Sequence, residues 1–502
     1  MEAPAPKLTN TLASIHWVGK KQLAGETNAA VLMDVWGLPQ SLKLEQQTLY
    51  KLSLAPSRLS RLDTGTNVAL LLQPLVQDVL QEESYLEVRA VTHEPGQLAF
   101  AIRLDDARAG LWETNLAAAL ESLTGIRPVS DPARHGWSLQ KHHAPDLLEL
   151  TRAGGWTIFG AASNHNALLE DMLARIGQNQ LPFPAVITNH WLTVAVDLGN
   201  LDRAFSLGLN LPKDFPRIEA EWDGDGKDLW TYGTLTFPHP LAMDLDAWNI
   251  PTNLMDQPLT SFVAVRGIQP WLAGLKTWND LQTGPPPNQF YSWSVQGNLP
   301  LTYFTAPLND AGNTVSRLTD LVLQKSASWF ASNDLARFER SHSFNGVEWK
   351  GVPYLCPFLK SVTNNSEPSL FGGFVSVAPT QPPPADLFRD LLVETNLIVH
   401  DWEQTGTRIE DWIYAGQFAR LVVLQKSQLP PQSVSLLWLR AIQPKVGTTV
   451  TQVFKKGPSQ LWFHRKSTIG FTGIELQLLA DWLESPGFPI GLHTTLAPPQ
   501  LE

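Results

Sequence analysis

Residues 145–176, PDLLELTRAGGWTIFGAASNHNALLEDMLARI, contain the pattern that decides the fold of this chain. On either side of Gly154-Gly155, apolar residues lie two positions apart, which is typical of two strands joined by a tight turn. Asn164 then predicts a helix N-cap, and the apolar residues that follow recur at helical spacing. The stretch therefore predicts a strand-turn-strand-helix unit.

The same order of elements is predicted three more times, in segments 85–123, 290–325 and 458–483. Segment 458–473 aligns with segment 145–160 at a constant offset, which matches Arg152 with Arg465. Two explanations stay open at this point: duplication of one unit, or shared physical constraints on unrelated segments.

Hairpins that are each followed by a helix predict the α+β class, with mainly antiparallel sheets and helices packed on one face. Residues 1–15 are predicted to be a flexible lead-in, and the part that follows to be mainly helical. A Pro- and Asp-rich segment, 237–258, separates two parts of the chain. In both parts, strands followed by helices are predicted. The chain is 502 residues long, so we expect two lobes, 1–255 with a helical start and 256–502, with a groove between them.

Composition excludes several classes of protein. The net charge is -11 and Lys and Arg form no cluster, which argues against a nucleic-acid partner. No run of about 18 apolar residues occurs, so no transmembrane segment is predicted. The single cysteine, Cys356, excludes an intramolecular disulfide and a cysteine-based zinc site, and its apolar neighbours predict a buried position.

The motifs of the common enzyme classes are absent. The sequence has no GxSxG, HExxH, Walker, GxGxxG or EF-hand pattern. No cofactor and no catalytic residue is therefore predicted.

Asp223, Asp225 and Asp228 lie in an acidic, Gly-rich segment and are candidate metal ligands, because oxygen atoms two residues apart resemble those of a calcium loop. Lys227 stands at a ligand position, and no Glu follows at the EF-hand distance. A hairpin turn is the preferred interpretation.

Trp222, Trp230 and Trp248 lie near this acidic segment and are candidate ligand-binding residues. Together they would provide a platform for a sugar or another flat ligand. The chain contains 19 tryptophans, and core packing is the preferred explanation for most of them.

Four segments carry a resemblance to a known family: HWVGKKQLAGETNAA, LPQSLKLEQQTLYKLSLAP, GLWETNLAAALESLTG and HNALLEDMLARI. With them the chain resembles an uncharacterised family of long hypothetical proteins from Verrucomicrobia-type bacteria. The resemblance covers nearly the whole length and implies an exported or envelope-associated protein without a known catalytic motif.

The leading hypothesis is a non-enzymatic extracytoplasmic protein, located in the periplasm or cell envelope, that binds an unidentified ligand or protein partner in the groove between its lobes. The start, MEAPAPKLTN, lacks the apolar region of a signal peptide, so this location requires that a signal peptide has been removed, and the protein is otherwise cytoplasmic. Two alternatives are a hydrolase with scattered carboxylates or histidines and a subunit of a larger envelope assembly.

Overall fold

The computed structural model describes residues 11–60, 65–91, 94–140, 147–184, 190–205, 208–209, 211–296, 301–330, 336–351, 356–375, 381, 383, 385–422, 432–485 and 488–489. Twenty strands are present in this part of the chain. In chain order they are β1 (Thr11–Trp17), β2 (Ser84–Val91), β3 (Glu94–Arg103), β4 (Val129–Asp131), β5 (Gly136–Gln140), β6 (Leu147–Ala153), β7 (Trp156–Ala162), β8 (Leu192–Val196), β9 (Arg217–Gly224), β10 (Leu229–Thr236), β11 (Leu259–Arg266), β12 (Gln289–Val295), β13 (Leu301–Pro307), β14 (Ala336–Arg340), β15 (Gly346–Gly351), β16 (Phe358–Asn364), β17 (Glu367–Gly373), β18 (Leu397–Gln404), β19 (Thr448–Gly457) and β20 (Gln460–Ser467).

The α-helices in the described ranges are α1 (Lys20–Leu23), α2 (Ala30–Trp36), α3 (Pro39–Ser60), α4 (Gly65–Gln81), α5 (Asp106–Thr124), α6 (Ala167–Gly177), α7 (Leu198–Phe205), α8 (Gln269–Ala273), α9 (Lys276–Asp280), α10 (Ala311–Phe330), α11 (Arg389–Val393), α12 (Thr405–Val422), α13 (Val434–Ile442) and α14 (Gly473–Glu484). The predicted α+β class is confirmed, because helices accompany a large antiparallel sheet. None of the described helices is long and apolar enough to cross a membrane.

The strands form one continuous antiparallel order from edge to edge. That order is β4-β5-β6-β7-β3-β2-β1-β8-β9-β10-β20-β19-β18-β11-β12-β13-β17-β16-β15-β14. Strands β1–β10 form one side of this order and strands β11–β20 form the other. When each set is numbered from 1 to 10 along the chain and read inwards from its outer edge, both sets have the order 4-5-6-7-3-2-1-8-9-10. We call β1–β10 the first half and β11–β20 the second half. The two halves meet where β10 pairs with β20.

The halves also share details of register. The pairing of β1 with β2 shifts between Thr11 and Ala13, and the pairing of β11 with β12 shifts at the same place, between Leu259 and Ser261. At the junction, β10 and β20 share the dipeptide Leu-Trp, at Leu229-Trp230 and Leu461-Trp462. If these dipeptides are equivalent, Tyr232 is equivalent to His464, and these two residues lie opposite each other in the ladder. The sheet therefore has a pseudo-twofold relation centred on this pair.

The same close backbone approach occurs in both halves. A Cβ atom on Gly136 would lie 1.8 Å from the carbonyl oxygen of Leu150, and one on Gly346 would lie 1.9 Å from that of Leu359. The register of β5 with β6 and of β15 with β16 places these two contacts at equivalent positions. Only glycine fits the backbone at either place.

Helices cover both faces of the sheet, whereas the sequence predicted that they cover one. Ile102 of β3 packs with Ala109 and Trp112 of α5. Its neighbour Ala101 points to the opposite face and packs in the cluster that contains α6. Antiparallel strands alternate their side chains, and both sets in β3 are apolar, so each face needs a cover.

The cap of α6 differs from the prediction. Asn166, not Asn164, is the N-cap, and its side-chain oxygen accepts a hydrogen bond from the backbone N–H of Leu169. Its side-chain nitrogen also donates to the carbonyl oxygen of Leu98, so the same residue fixes the helix to β3. Helix α5 ends at Gly125, which adopts the left-handed conformation typical of a glycine C-cap.

Three other predictions are wrong. Residues 11–15, predicted to be flexible, belong to β1, which pairs with strands on both sides, and residues 1–10 lie outside the described ranges. Segment 458–473 contains the single strand β20 and not a hairpin, so its alignment with the β6–β7 hairpin does not match equivalent elements. Cys356 is partly exposed, whereas the sequence predicted a buried position.

The predicted domain boundary near residue 255 falls between β10 and β11. Independent folding of the two parts stays a prediction.

Candidate functional site

The centre of the sheet, where β10 pairs with β20, contains a group of aromatic and polar side chains on one face. Register places Tyr232 and Trp230 of β10 on the same face as His464 and Trp462 of β20. We call this the Trp230 face and the opposite one the Arg465 face. All four side chains are partly exposed.

A cleft of 580 Å³ lies on the Trp230 face beside β20, and we call it the junction cleft. Its lining residues come from β19, β20 and the segment around α11, and they are Asp390, Glu394, Asn396, Gln452, Phe454, Lys456, Trp462 and His464. The cleft therefore combines aromatic rings with acidic, basic and amide groups.

Three rings form the aromatic floor of the junction cleft. The centroid of Phe454 lies 5.4 Å from that of Trp462 and 5.5 Å from that of His464. Trp462 and His464 meet edge to face at 5.0 Å and 69°. Contacts of this kind hold the rings in fixed positions.

Gln452 connects this floor to the polar wall. Its side-chain nitrogen lies 3.2 Å from Oδ2 of Asp390 and 3.2 Å from Nδ1 of His400. The two N–H bonds of the amide can donate to both, which leaves the ring proton of His400 on Nε2. Burial lowers the pKa of His400 and that of His464, and Asp390 opposes the effect in both cases. Both imidazoles are therefore held in the uncharged form near neutral pH.

On the other side of the Tyr232–His464 pair, the rings of Trp230 and Tyr232 are stacked, with centroids 6.1 Å apart and planes 4° apart. The indole N–H of Trp230 donates a hydrogen bond of 2.9 Å to Oδ2 of Asp225. This bond is the main cause that lowers the pKa of Asp225 to about 2, and the backbone N–H groups of Asp228 and Lys227 add to it. The carboxylate thus fixes both the β9–β10 turn and the indole ring.

The structure separates the three candidate tryptophans. Trp222 lies opposite Thr231, so it points to the Arg465 face. Trp230 lies opposite Asp223, one pair along the ladder, and points to the other face. Trp248 packs against the core of the second half, and the guanidinium carbon of Arg266 lies 4.6 Å from its ring centroid. Of these three tryptophans, only Trp230 contributes to the surface where β10 pairs with β20.

The three candidate metal ligands each have a different protein partner. Asp225 accepts from Trp230, Asp228 pairs with Lys466 at 3.0 Å, and Asp223 lies 2.5 Å from Nδ1 of His190. In the part of the chain that the structure describes, no three His, Cys, Asp or Glu residues are placed to hold a metal ion. The acidic segment forms the predicted hairpin turn, in which Asp225 N–H donates to the carbonyl of Asp228.

His190 does not provide a free catalytic base. Its Nδ1 contacts Asp223, and its Nε2 lies 3.2 Å from Glu221. Because both ring nitrogens have protein partners, neither is available to take a proton from a substrate.

A second polar group lies on the Arg465 face, and sequence reasoning did not connect its members. Asp401 and Glu403 alternate along β18, and the guanidinium of Arg465 binds Glu475 through two hydrogen bonds of 2.7 and 2.9 Å. Burial, and then the charge of Glu403, raises the pKa of Asp401 to about 7. The alternation of the two acids in NLIVHDWE could have indicated a shared face, but not that helices cover it.

No family model matches this chain, and no curated protein or solved structure matches it significantly.

Proposed function

We propose that this protein binds a neutral carbohydrate in the junction cleft. The observation that carries the proposal is the combination of three fixed aromatic rings with side chains that both donate and accept hydrogen bonds in one cleft of 580 Å³. A volume of this order suits a small ligand rather than a protein segment with its own core.

The aromatic floor supports a sugar because one side of a pyranose ring presents C–H groups, which pack on aromatic rings. Phe454 is 8% exposed and Trp462 is partly exposed, so the floor is partly open to solvent and is not a closed apolar cavity. A lipid chain would need a deeper apolar space. The partly exposed floor therefore favours a ligand that has both apolar and polar sides.

The polar wall supports the same class of ligand. A hydroxyl group both donates and accepts. The cleft offers acceptors in Asp390, Glu394 and the side-chain oxygen of Gln452, a donor in Lys456, and an amide group that does both in Asn396. Gln452 is only 7% exposed and is held by Asp390 and His400, so its position is set before a ligand arrives.

The charges favour a neutral ligand over an anionic one. Asp390 and Glu394 line the cleft, whereas Lys456 is the one lysine among its lining residues and no arginine is among them. A phosphate or a nucleotide would therefore meet net repulsion.

Isothermal titration calorimetry with a panel of neutral sugars, including glucose, galactose, mannose and the β-1,4- and α-1,4-linked glucose oligomers, tests this function. We expect at least one sugar to bind and Trp462→Ala to weaken its binding about tenfold or more. The matched control is Trp271→Ala, because Trp271 is 66% exposed and lies on α8. Absence of binding by every sugar, or equal binding by the two variants, contradicts the proposal.

We also infer that the two halves arose by duplication of one ten-stranded unit. The shared strand order, the shared register shift and the two equivalent glycine contacts support this inference, because common physical constraints would not repeat all three. The repeat is larger than the four short units that the sequence indicated. The extracytoplasmic location stays a prediction, which fractionation of the source cells tests.

A further inference from the structure

We infer that the carbohydrate is an oligosaccharide chain that crosses from the second half to the first, with Trp230 and Tyr232 as a second subsite. This inference rests on the proposed function of the junction cleft. It concerns the length of the ligand and where its far end lies, which the cleft alone does not define.

The pseudo-twofold relation gives the first argument. Exchange of β10 and β20 about the Tyr232–His464 pair places Trp230 where Trp462 lies. β10 and β20 therefore each present one tryptophan on the Trp230 face, two residues along the strand from the central pair. The junction cleft uses one of these tryptophans, and the other lies outside its lining.

The second argument is that the first half holds Trp230 in a fixed position. Its indole N–H is bound by Asp225, and its ring is stacked on Tyr232. A side chain already ordered in this way loses little conformational entropy when a ligand packs against it. Nothing in the pairing of the strands requires this additional hydrogen bond.

Polar groups flank Trp230 as they flank Trp462. Lys466 lies opposite Trp230 on β20, its amine is 5.5 Å from the ring centroid, and it pairs with Asp228. On β9, Asp223 lies beside Trp230 and Glu221 beside Tyr232. The Lys466 amine over the ring is a donor for sugar hydroxyls, and the carboxylates of Asp223 and Glu221, which also pair with His190, are acceptors beside it.

The spacing of the two tryptophans sets the minimum length of the ligand. Trp462 lies opposite Thr234, four residues along β10 from Trp230, which corresponds to about 13 Å along the strands. One pyranose ring cannot reach both side chains. A chain of several sugar units can contact both, and it would pass over the Tyr232–His464 pair.

The test is a chain-length series of the sugar identified by calorimetry, from one unit to six. In the wild-type protein we expect affinity to rise with length and to level off once the chain reaches both subsites. The ratio of the affinity for the longest chain to that for the shortest should be about tenfold or more. In Trp230→Ala this ratio should fall close to one, and Trp230→Phe should restore part of it because a phenyl ring still stacks.

Lys227→Ala is the control for Trp230→Ala, because Lys227 is an exposed residue on the same turn, and it should keep the wild-type ratio. A wild-type ratio near one, or an unchanged ratio in Trp230→Ala, overturns the second subsite while the binding of short sugars still supports the junction cleft. Failure of every sugar to bind overturns both. Circular dichroism of each variant verifies that the sheet is intact.

Discussion

Tyr232 and His464 lie opposite each other on β10 and β20, and the register of those strands makes this pair the centre of the whole sheet. Nine strands lie beyond β10 on one side and nine beyond β20 on the other. The contact between the halves is therefore a continuous hydrogen-bonded ladder and not a packing of two separate surfaces.

The first prediction concerns this ladder. A Cβ atom on Gly233 would lie 2.4 Å from the ring of Phe463 and 2.5 Å from the carbonyl oxygen of Glu219. Gly233→Val should lower the free energy of unfolding by about 1–3 kcal/mol, because the carbonyl oxygen belongs to the paired backbone of β9 and cannot move away without disturbing the ladder. Urea denaturation measures the change. Gly457→Val is the control, since no atom lies within 4 Å of that position, and an equal effect of the two variants would contradict the prediction.

The second prediction is a pH dependence caused by Asp401. Its folded-state pKa is about 7, above the value of about 3.9 expected in the unfolded chain, so the folded state binds the proton more tightly between these limits. Stability is therefore fully retained below about pH 4 and is lost progressively as the pH rises to about 7.

Asp401→Asn removes this titration. The variant should gain stability relative to the wild type as the pH rises from 4 to 8, by up to about 1.4 kcal/mol for each unit within the window. Denaturation at pH 4.5 and at pH 8 measures the difference. If the difference between variant and wild type is the same at both pH values, Asp401 does not titrate as stated.

The third prediction concerns the start of α14. Thr472 and Glu475 form a capping box, and Glu475 also binds Arg465, whose side chain is 18% exposed. Thr472→Ala should cost about 1 kcal/mol, the usual value for a lost cap. Glu475→Ala should cost more, roughly 2 kcal/mol, because it also leaves the guanidinium without its carboxylate.

A double-mutant cycle separates the two effects. The combined Arg465→Ala and Glu475→Ala variant should lose less stability than the sum of the single variants. Simple additivity would show that the ion pair contributes nothing beyond the cap.

The fourth prediction links the β9–β10 turn to ligand binding. Asp225→Ala removes the acceptor of the Trp230 indole N–H and of two backbone N–H groups in the turn. The ratio of affinities for long and short oligosaccharides should fall in this variant, by a smaller factor than in Trp230→Ala, since the ring remains but is less ordered. Calorimetry measures the ratio, and a wild-type value would show that Asp225 only shapes the turn.

Much of the local structure could be predicted from sequence. The β6–β7 hairpin, the end of α5 at Gly125 and the hairpin turn at Asp225 follow from residues close together in the chain. Turn glycines, caps and alternating apolar residues act over a few positions, so one sequence contains their signal.

The arrangement of the sheet could not be predicted in the same way. β10 and β20 are distant in sequence, and their partnership depends on the packing of all the strands between them. For the same reason, proximity in sequence predicts a shared site for Trp222 and Trp230, whereas the register points their side chains to opposite faces. His464 and Gln452 belong to no sequence motif. The cleft is built from two strands and a distant helix, so its lining residues have no fixed spacing along the chain.

The β10–β20 pairing also has a consequence for synthesis of the chain. The ribosome completes β10 at Thr236 long before β20 begins at Gln460, so the first half has an unpaired edge strand while the second half is being made. The pseudo-twofold relation makes β10 and β20 equivalent strands. β10 of a neighbouring nascent chain can therefore pair with this free edge in place of β20. β20, the last of the described strands to leave the ribosome, is thus the one that protects the first half from self-association.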